Sequence, residues 1–205
     1  MNDLDFAALL VSRVCHDLVS PVGAVVNGLE VLEDETDAAM RADALRLVAA
    51  SAEQAAARLQ FARVAFGAAG SARAELDLGE VARIIAGLLK GGKVALVWAY
   101  PAVNWPKDWA KLLMNAILSA ADCLPRGGRV RVDASGDSSA PRFKIVASGT
   151  NARVVPETEK ALLGEPFGVI DGRSIQPYLT HQLAKNVNAG LTVQAGEGEV
   201  TFTAG

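Results

Sequence analysis

The chain has 205 residues, of which 51% are hydrophobic and 21% charged, so it can bury a core in one domain or two. Its formal net charge is -3. This balance argues against a nucleic-acid binder, because neutralising phosphates requires a basic surface. We therefore expect a protein partner or a small molecule.

The chain is predicted to be cytoplasmic and not to enter a membrane. Its first residues, Met1–Asp5, are acidic, whereas a signal peptide begins with positive charge. Charged residues interrupt the apolar runs before the roughly 18 residues that a membrane span requires. Cys15 and Cys123 are too few and too far apart for a disulfide framework or a metal cluster. We expect both to be buried as small hydrophobic residues.

The first predicted element is a long helix. Its apolar residues recur in steps of three and four, at Leu4, Ala7, Val11, Val14, Leu18, Val22, Val25, Leu29 and Leu32. Pro21 removes one intrahelical hydrogen bond and is expected to kink the helix just after His16. At about 100° per residue, His16 lies roughly 200° from Leu18 around the axis. His16 therefore points away from the apolar stripe.

A second helix follows the acidic segment Glu33–Asp37, where Thr36 or Asp37 can serve as the N-cap. Its apolar residues again recur in steps of three and four, at Leu45, Val48, Ala52, Ala55, Leu59, Ala62 and Phe66. The two helices form a hairpin over residues 1–68. Two helices cannot cover both apolar stripes, so we expect two hairpins to pair in a dimeric four-helix bundle.

The small-residue segment 67–72 predicts a linker, and a second domain follows over residues 73–205. The hydrophobic pattern of this domain predicts helices over 78–89, 108–123 and 175–189 and strands over 94–98, 129–133, 142–146, 191–194 and 199–202. Helices and mostly antiparallel strands in this order indicate an α+β sandwich. Four further residues are expected to be structural: His181, Trp98, Trp105 and Trp109.

The residues around His16 could bind and transfer a phosphoryl group. Arg13 and Ser20 flank His16 on one helix face, and Asp17 lies beside it. A histidine is partly neutral at physiological pH, so a ring nitrogen can attack phosphorus. Arg13 can offset the charge gained, and Ser20 can donate a hydrogen bond to a phosphoryl oxygen. On spacing alone, a solvated surface histidine and an exposed Arg13–Asp17 ion pair account for the pattern better.

The segment His16–Pro21 resembles the phospho-acceptor box of sensor histidine kinases, whose pattern is His-Asp/Glu-Leu-x-x-Pro in the first helix of a dimeric hairpin. The chain from Asp108 onward resembles the ATP-binding domain that follows the hairpin in those kinases. The resemblance therefore covers nearly the whole chain. It implies that His16 is the phospho-acceptor, with Asp17, Arg13 and Ser20 beside it.

The second domain departs from the kinase pattern at the positions that bind ATP. Ser119 stands where those kinases have their magnesium-binding asparagine, and Asn115 lies one turn earlier. Ala147 replaces the adenine-binding aspartate, Asn151 replaces a glycine of the same loop, and the glycine-rich lid is thin over residues 165–173. Alanine cannot accept a hydrogen bond from the adenine amino group. The resemblance thus implies a degenerate, Bergerat-type ATPase-like α/β sandwich that does not bind ATP.

An acceptor histidine without an ATP site resembles the histidine phosphotransferases of bacterial phosphorelays. The resemblance implies a homodimer that receives its phosphoryl group from the receiver domain of a hybrid histidine kinase. It then passes the group to response regulators of the CtrA and CpdR kind, which would place it in cell-cycle regulation. The chain is expected to have no cofactor of its own, and Mg²⁺ is expected to come from the receiver domain, because the hairpin offers no acidic cluster on the His16 face beyond Asp17.

The receiver is expected to dock on the first helix and on the second helix around Arg58 and Phe61 or Arg63. Two alternatives remain open. In one, the chain is an ATP-dependent histidine kinase with an atypical nucleotide site. In the other, it is a non-catalytic receiver-binding module.

Overall fold

The computed structural model describes residues 2–67, 74–166, 168–172 and 174–205. Helix α1 spans Asp3–Asp34 and helix α2 spans Ala38–Ala65, and the two pack as the predicted hairpin. The Asp37 side chain accepts hydrogen bonds from the amides of Ala39 and Met40, which confirms one of the two expected N-caps. Helix α1 continues through Pro21, which is buried.

The two helices approach closely at Gly28. A Cβ atom at this position would lie 2.6 Å from Cγ2 of Val48 on α2. Glycine is therefore the residue that permits this contact. The buried residues of the hairpin lie along the facing sides of the helices, and they include Pro21, Gly28, Ala44 and Ser51.

An apolar stripe on the hairpin is exposed in the single chain. Its members are Val11, Val22, Val26 and Leu29 on α1 with Leu45 and Leu59 on α2. At about 100° per residue, the α1 members lie within roughly 80° of one another, on the side of α1 away from Pro21 and Gly28. The sequence pattern thus contains two apolar faces, one packed within the hairpin and one left uncovered.

Helix α1 is also the one helix in the described part of the chain that is long and apolar enough to cross a membrane by length and composition alone. Such a helix near an N-terminus is weak support for a span, because helices of soluble proteins pass the same test. Arg13, His16 and Asp17 interrupt its apolar surface.

The second domain is a two-layer α+β structure. Its elements are β1 (Glu75–Asp77), α3 (Leu78–Leu89), β2 (Val94–Trp98), β3 (Asn104–Pro106), α4 (Lys107–Asp122), β4 (Gly128–Ser135), β5 (Arg142–Ser148), α5 (Pro156–Leu163), α6 (Ile175–Asn186), β6 (Thr192–Gly196) and β7 (Glu199–Ala204). Five strands form a sheet in the order β2-β4-β5-β7-β6. Only β2 and β4 pair in parallel, so the predicted mainly antiparallel sheet is confirmed.

Alternation along the strands separates the two faces of the sheet. Val130, Val132, Ile145, Val200 and Phe202 are buried beneath the helices, and Ile145 is directly opposite Phe202 in the ladder. The intervening residues of β4 are exposed. Helix α4 lies at the centre of the domain, with most of its residues buried and contacts to the sheet and α6.

The sequence did not predict β1, β3 or α5. Strands β1 and β3 are three residues long and pair only with each other, so neither has a readable period. Helix α5 begins with Pro156 and is polar over its first turns, and only Ala161 and Leu162 are buried. Trp105 is fully buried and its indole N–H donates to the Gly136 carbonyl, 3.1 Å away, as expected of a structural tryptophan.

The hairpin and the second domain share one hydrophobic core. Phe61 and Ala65 of α2 are buried in the same cluster as α4 and the sheet. Two side chains of α4 bind the end of α2: Lys111 donates to the Gly67 carbonyl, and Asn115 donates to the Ala65 carbonyl at 3.4 Å. Burial lowers the pKa of Lys111. The boundary predicted at residues 68–73 lies outside the described residues.

Candidate functional site

His16 lies on an open face of α1. Its side chain is 84% exposed. By helical period the imidazole points roughly 100° away from the middle of the exposed apolar stripe, and further still from the side of α1 that packs on α2. A second molecule could cover the stripe without covering His16.

Asp17 determines the orientation of the imidazole. Its Oδ1 atom lies 3.3 Å from Nδ1 of His16. A carboxylate can only accept hydrogen bonds, so we assign the proton of the neutral imidazole to Nδ1. The other ring nitrogen, Nε2, then carries a lone pair and faces solvent. A ring nitrogen with a free lone pair can act as a nucleophile toward phosphorus.

Arg13 forms the ion pair that its spacing suggested. Its Nε lies 2.9 Å from Oδ2 of Asp17, in a partly buried position. Nη1 of the same side chain lies 3.5 Å from the Gly172 carbonyl of the second domain. The structure thus brings Arg13, Asp17 and His16 together, in that order, through one carboxylate. Ser20 lies one turn further along α1 and is exposed.

The α2 residues assigned to docking have three different environments. Arg58 is half-buried and its Nη1 donates to the Asp17 carbonyl at 2.7 Å. Phe61 is only 3% exposed and packs edge-to-face on Phe66, so its assignment to the docking surface was wrong. The core that it enters belongs to the second domain. Arg63 is exposed.

A cleft of about 230 Å³ lies behind the acceptor box, between the hairpin and the second domain. Arg13, Asp17 and Arg58 line its hairpin side, and Asp122 at the end of α4 lines the other. Burial raises the pKa of Asp122, while Arg13 opposes that rise and Asp17 adds to it. This proximity could not be predicted, because more than a hundred residues separate Asp122 from Asp17 in the chain.

Ser119 and Asn115, the residues compared with the magnesium-binding position of the kinases, belong to a buried polar cluster. Ser119 is buried and its hydroxyl donates to the Asn115 carbonyl at 3.0 Å. Gln176, on α6, donates to the same carbonyl at 2.8 Å and approaches the Asn115 side-chain oxygen at 3.3 Å. The Asn115 amide in turn donates to the Lys111 carbonyl at 2.9 Å. These buried polar groups therefore have their partners within the protein.

Gln176 was not predicted as part of this cluster. Gln176 is fully buried although it is polar, and that burial is what distinguishes it. The sequence alone does not reveal the burial. Ala147 is fully buried in β5. Asn151 has a φ of 67°, which lies in the left-handed region that favours glycine and that asparagine also tolerates.

The remaining candidate residues have structural environments, with one exception. Nδ1 of His181 contacts the Leu162 carbonyl at 3.2 Å, in a partly buried position. Cys123 is buried, and burial raises its pKa to about 12. Cys15 is exposed, so its predicted burial was wrong, because it lies on the side of α1 that the single chain leaves open. Within the described ranges, no three His, Cys, Asp or Glu side chains gather as a metal site.

Comparison with known proteins identifies the family. The model of the histidine phosphotransferase C-terminal domain matches residues 78–199. Over 205 residues the chain is 40% identical to the protein phosphotransferase ChpT of Brucella abortus (strain 2308), covering 100% of this chain and 97% of that protein. A solved bacterial phosphotransferase is 38% identical and has a TM-score of 0.90, with 100% and 98% of the two chains covered. The chain belongs to the histidine phosphotransferase family and is a phosphotransferase of a phosphorelay.

Proposed function

We propose that His16 carries the phosphoryl group. The observation that supports this most directly is the contact between Asp17 and Nδ1 of His16, which leaves Nε2 free on an open helix face. Ser20 lies on that face and has a hydroxyl that can donate to a phosphoryl oxygen. Arg13 acts through Asp17, to which it is already paired.

The transfer is a substitution at phosphorus. The Nε2 lone pair of His16 attacks the phosphorus of an aspartyl phosphate, and a new N–P bond forms. The bond between phosphorus and the aspartate oxygen breaks, and the carboxylate leaves with the electron pair. The imidazole ring becomes cationic, and the Asp17 carboxylate beside Nδ1 stabilises that charge. Delivery to a second aspartate is the same reaction in reverse.

The phosphoryl group comes from an aspartate and not from ATP in this proposal. Ser119, Asn115 and Gln176 bond to one another at the position where a nucleotide site would require free ligands. An active kinase would have to break this buried cluster. The arrangement favours a relay over an ATP-dependent kinase with an atypical site.

Mg²⁺ is supplied by the partner in this proposal. Asp17 is the one carboxylate within hydrogen-bond distance of His16 in the part of the chain that the structure describes, and it is already bonded to Arg13. A divalent cation prefers several oxygen ligands. The receiver domain that holds the aspartyl phosphate is therefore the better source of those ligands.

The exposed apolar stripe supports a homodimer with a four-helix core. Val11, Val22, Val26 and Leu29 of α1 lie beside Leu45 and Leu59 of α2, and contact with a second copy would remove them from water. Two copies related by a two-fold axis present the same stripe to each other. His16 stays accessible in this dimer because it lies on another face of α1.

We infer that the partners are the receiver domain of a hybrid histidine kinase and response regulators of the CtrA and CpdR kind, in a cell-cycle pathway of the cytoplasm. The family assignment supports a kinase on one side and a response regulator on the other. The open face of α1 around His16 is the docking surface that we assign to them.

The experiment that tests this function uses a receiver domain phosphorylated with radioactive phosphate. We expect label to move to the wild-type protein and not to His16→Ala, and ATP alone to leave the wild type unlabelled. His181→Gln changes the only other histidine and should accept label normally. Label on His16→Ala would exclude His16, labelling by ATP would establish a kinase, and binding of the receiver without any label would establish a non-catalytic module.

A further inference from the structure

Pro21 leaves one carbonyl of α1 without its usual donor. In an α-helix the N–H of residue 21 would donate to the carbonyl of residue 17. Proline has no N–H, so the carbonyl of Asp17 loses this partner. A buried or half-buried carbonyl without a donor is costly, and folded proteins supply another group in almost all cases.

Arg58 supplies the missing donor from the neighbouring helix. Its Nη1 lies 2.7 Å from the Asp17 carbonyl oxygen, and the bond is partly buried. A hydrogen bond from a charged donor is stronger than one between neutral groups. The contact also joins α2 to the turn of α1 that carries the acceptor box, 41 residues away in the chain.

The same residue, Asp17, is therefore held at two points. Its main-chain carbonyl binds Arg58, and its carboxylate binds Arg13 and contacts His16. Any rotation or shift of this turn would move the carboxylate away from Nδ1. The orientation of the His16 imidazole thus depends on the partly buried hydrogen bond between Arg58 and the Asp17 carbonyl.

We propose that Arg58 is a positioning residue for phosphoryl transfer: by donating to the Asp17 carbonyl that Pro21 leaves free, it fixes the turn that orients His16. This inference rests on the proposed role of His16 as acceptor. Pro21 takes part in this arrangement, because the Asp17 carbonyl that it leaves without a donor makes α1 depend on Arg58 of α2.

The test is a double-mutant cycle between positions 58 and 21. Arg58→Met keeps most of the side-chain stem and removes the donor. Pro21→Ala restores an N–H that can bond the Asp17 carbonyl within α1. Pro21→Ala and the double variant both lose the packing of the proline ring. This loss therefore cancels when the effect of Arg58→Met is compared between the two backgrounds.

Phosphoryl uptake from a phosphorylated receiver domain should fall about tenfold for Arg58→Met in the Pro21 background. In the Pro21→Ala background the same substitution should lower it less than about twofold, because the carbonyl has another donor. Arg58→Met should likewise change the equilibrium constant of unfolding more in the Pro21 background than in the Pro21→Ala background. Arg46→Met changes an exposed arginine of the same helix and should alter neither measurement.

Three results would overturn the inference. An equal loss of rate in both backgrounds would mean that Arg58 acts by another route, such as direct contact with the receiver. Coupling in unfolding without coupling in rate would make Arg58 purely structural. Label on His16→Ala would show that His16 is not the acceptor. The unfolding measurements do not depend on the acceptor, so this result can be told apart from a failure of the Arg58 inference.

Discussion

Nδ1 of His16 lies 3.3 Å from Oδ1 of Asp17, the residue that follows it in α1. Neighbours in a helix point about 100° apart, so a contact between them requires both side chains to lean toward each other. The ion pair of Asp17 with Arg13, at 2.9 Å, fixes the carboxylate on the other side. The histidine is therefore exposed but not randomly oriented.

Asp17→Asn should lower the rate of phosphoryl uptake about a hundredfold, because an amide neither pairs with Arg13 nor stabilises a cationic imidazole. Single-turnover transfer of label from a phosphorylated receiver measures this. The free energy of unfolding should fall by about 1–3 kcal/mol, because the substitution removes a partly buried, charge-assisted hydrogen bond to Arg13. Glu30→Gln removes an exposed charge from α1 at a distance from His16 and should transfer normally; a matching loss there would show that general charge is responsible.

Leu29→Glu should separate the proposed dimer. The substitution places a charge in the exposed stripe on both copies, and burying leucine contributes about 1.5–3 kcal/mol for each. The dissociation constant should rise more than about a hundredfold, as measured by sedimentation equilibrium. Val31→Glu is the control, because Val31 is also exposed but points to another side of α1. A dimer that survives Leu29→Glu would place the interface elsewhere.

Gln176→Leu should lower the free energy of unfolding by about 1–3 kcal/mol, because the buried side-chain oxygen Oδ1 of Asn115 loses the donor that Gln176 supplies. Urea unfolding measures the change. The exposed Gln194 on β6 gives the control, since Gln194→Leu should stay within about 0.5 kcal/mol of the wild type. The Gln176 variant should still show no ATP binding by calorimetry, because Ser119 and Ala147 remain. Heat of ATP binding would contradict the relay.

Asp122→Asn should change how stability depends on pH. The pKa of Asp122 is raised from its ordinary 3.8, chiefly by burial, so the folded state holds the proton more tightly than the unfolded state. The wild type therefore loses stability through this group as the pH rises from the ordinary pKa to the raised one. The amide cannot titrate, so the variant should gain stability relative to the wild type as the pH rises above 3.8.

Asp137→Asn provides a control of opposite sign. Hydrogen bonds from Ser139 lower the pKa of Asp137, so its contribution is present above the ordinary pKa and is lost as the pH falls through the lowered one. The difference between this variant and the wild type should therefore shrink toward low pH. Urea unfolding at pH values on both sides of 3.8 measures both effects. A pH-independent difference for Asp122→Asn would contradict its perturbed environment.

The local patterns of this sequence predicted the elements that have a clear period. The bounds of α3 and β2 are those predicted, and α4 differs by one residue at each end. The N-cap at Asp37 followed from capping chemistry, which acts over a few residues. These features depend on neighbours in the chain, and a single sequence contains that information.

The features that were missed depend on packing between distant segments. A stripe in steps of three and four says that a helix has an apolar side, but not which neighbour covers it. Phe61 packs into the second domain, whereas Leu59, two residues earlier, stays exposed. Arg58 and Gln176 bind groups more than 40 residues away, so their roles required the fold.

The shared core limits how this protein can be divided. Phe61 and Ala65 precede the small-residue linker in the chain yet pack with the residues that follow it, and Lys111 and Asn115 bind the last carbonyls of α2. A genetic exchange at residues 68–73 would separate these contacts and leave each half with an open apolar surface. Recombination at this boundary should therefore be selected against, although the sequence looks like two separate modules. The two parts should be inherited as one unit.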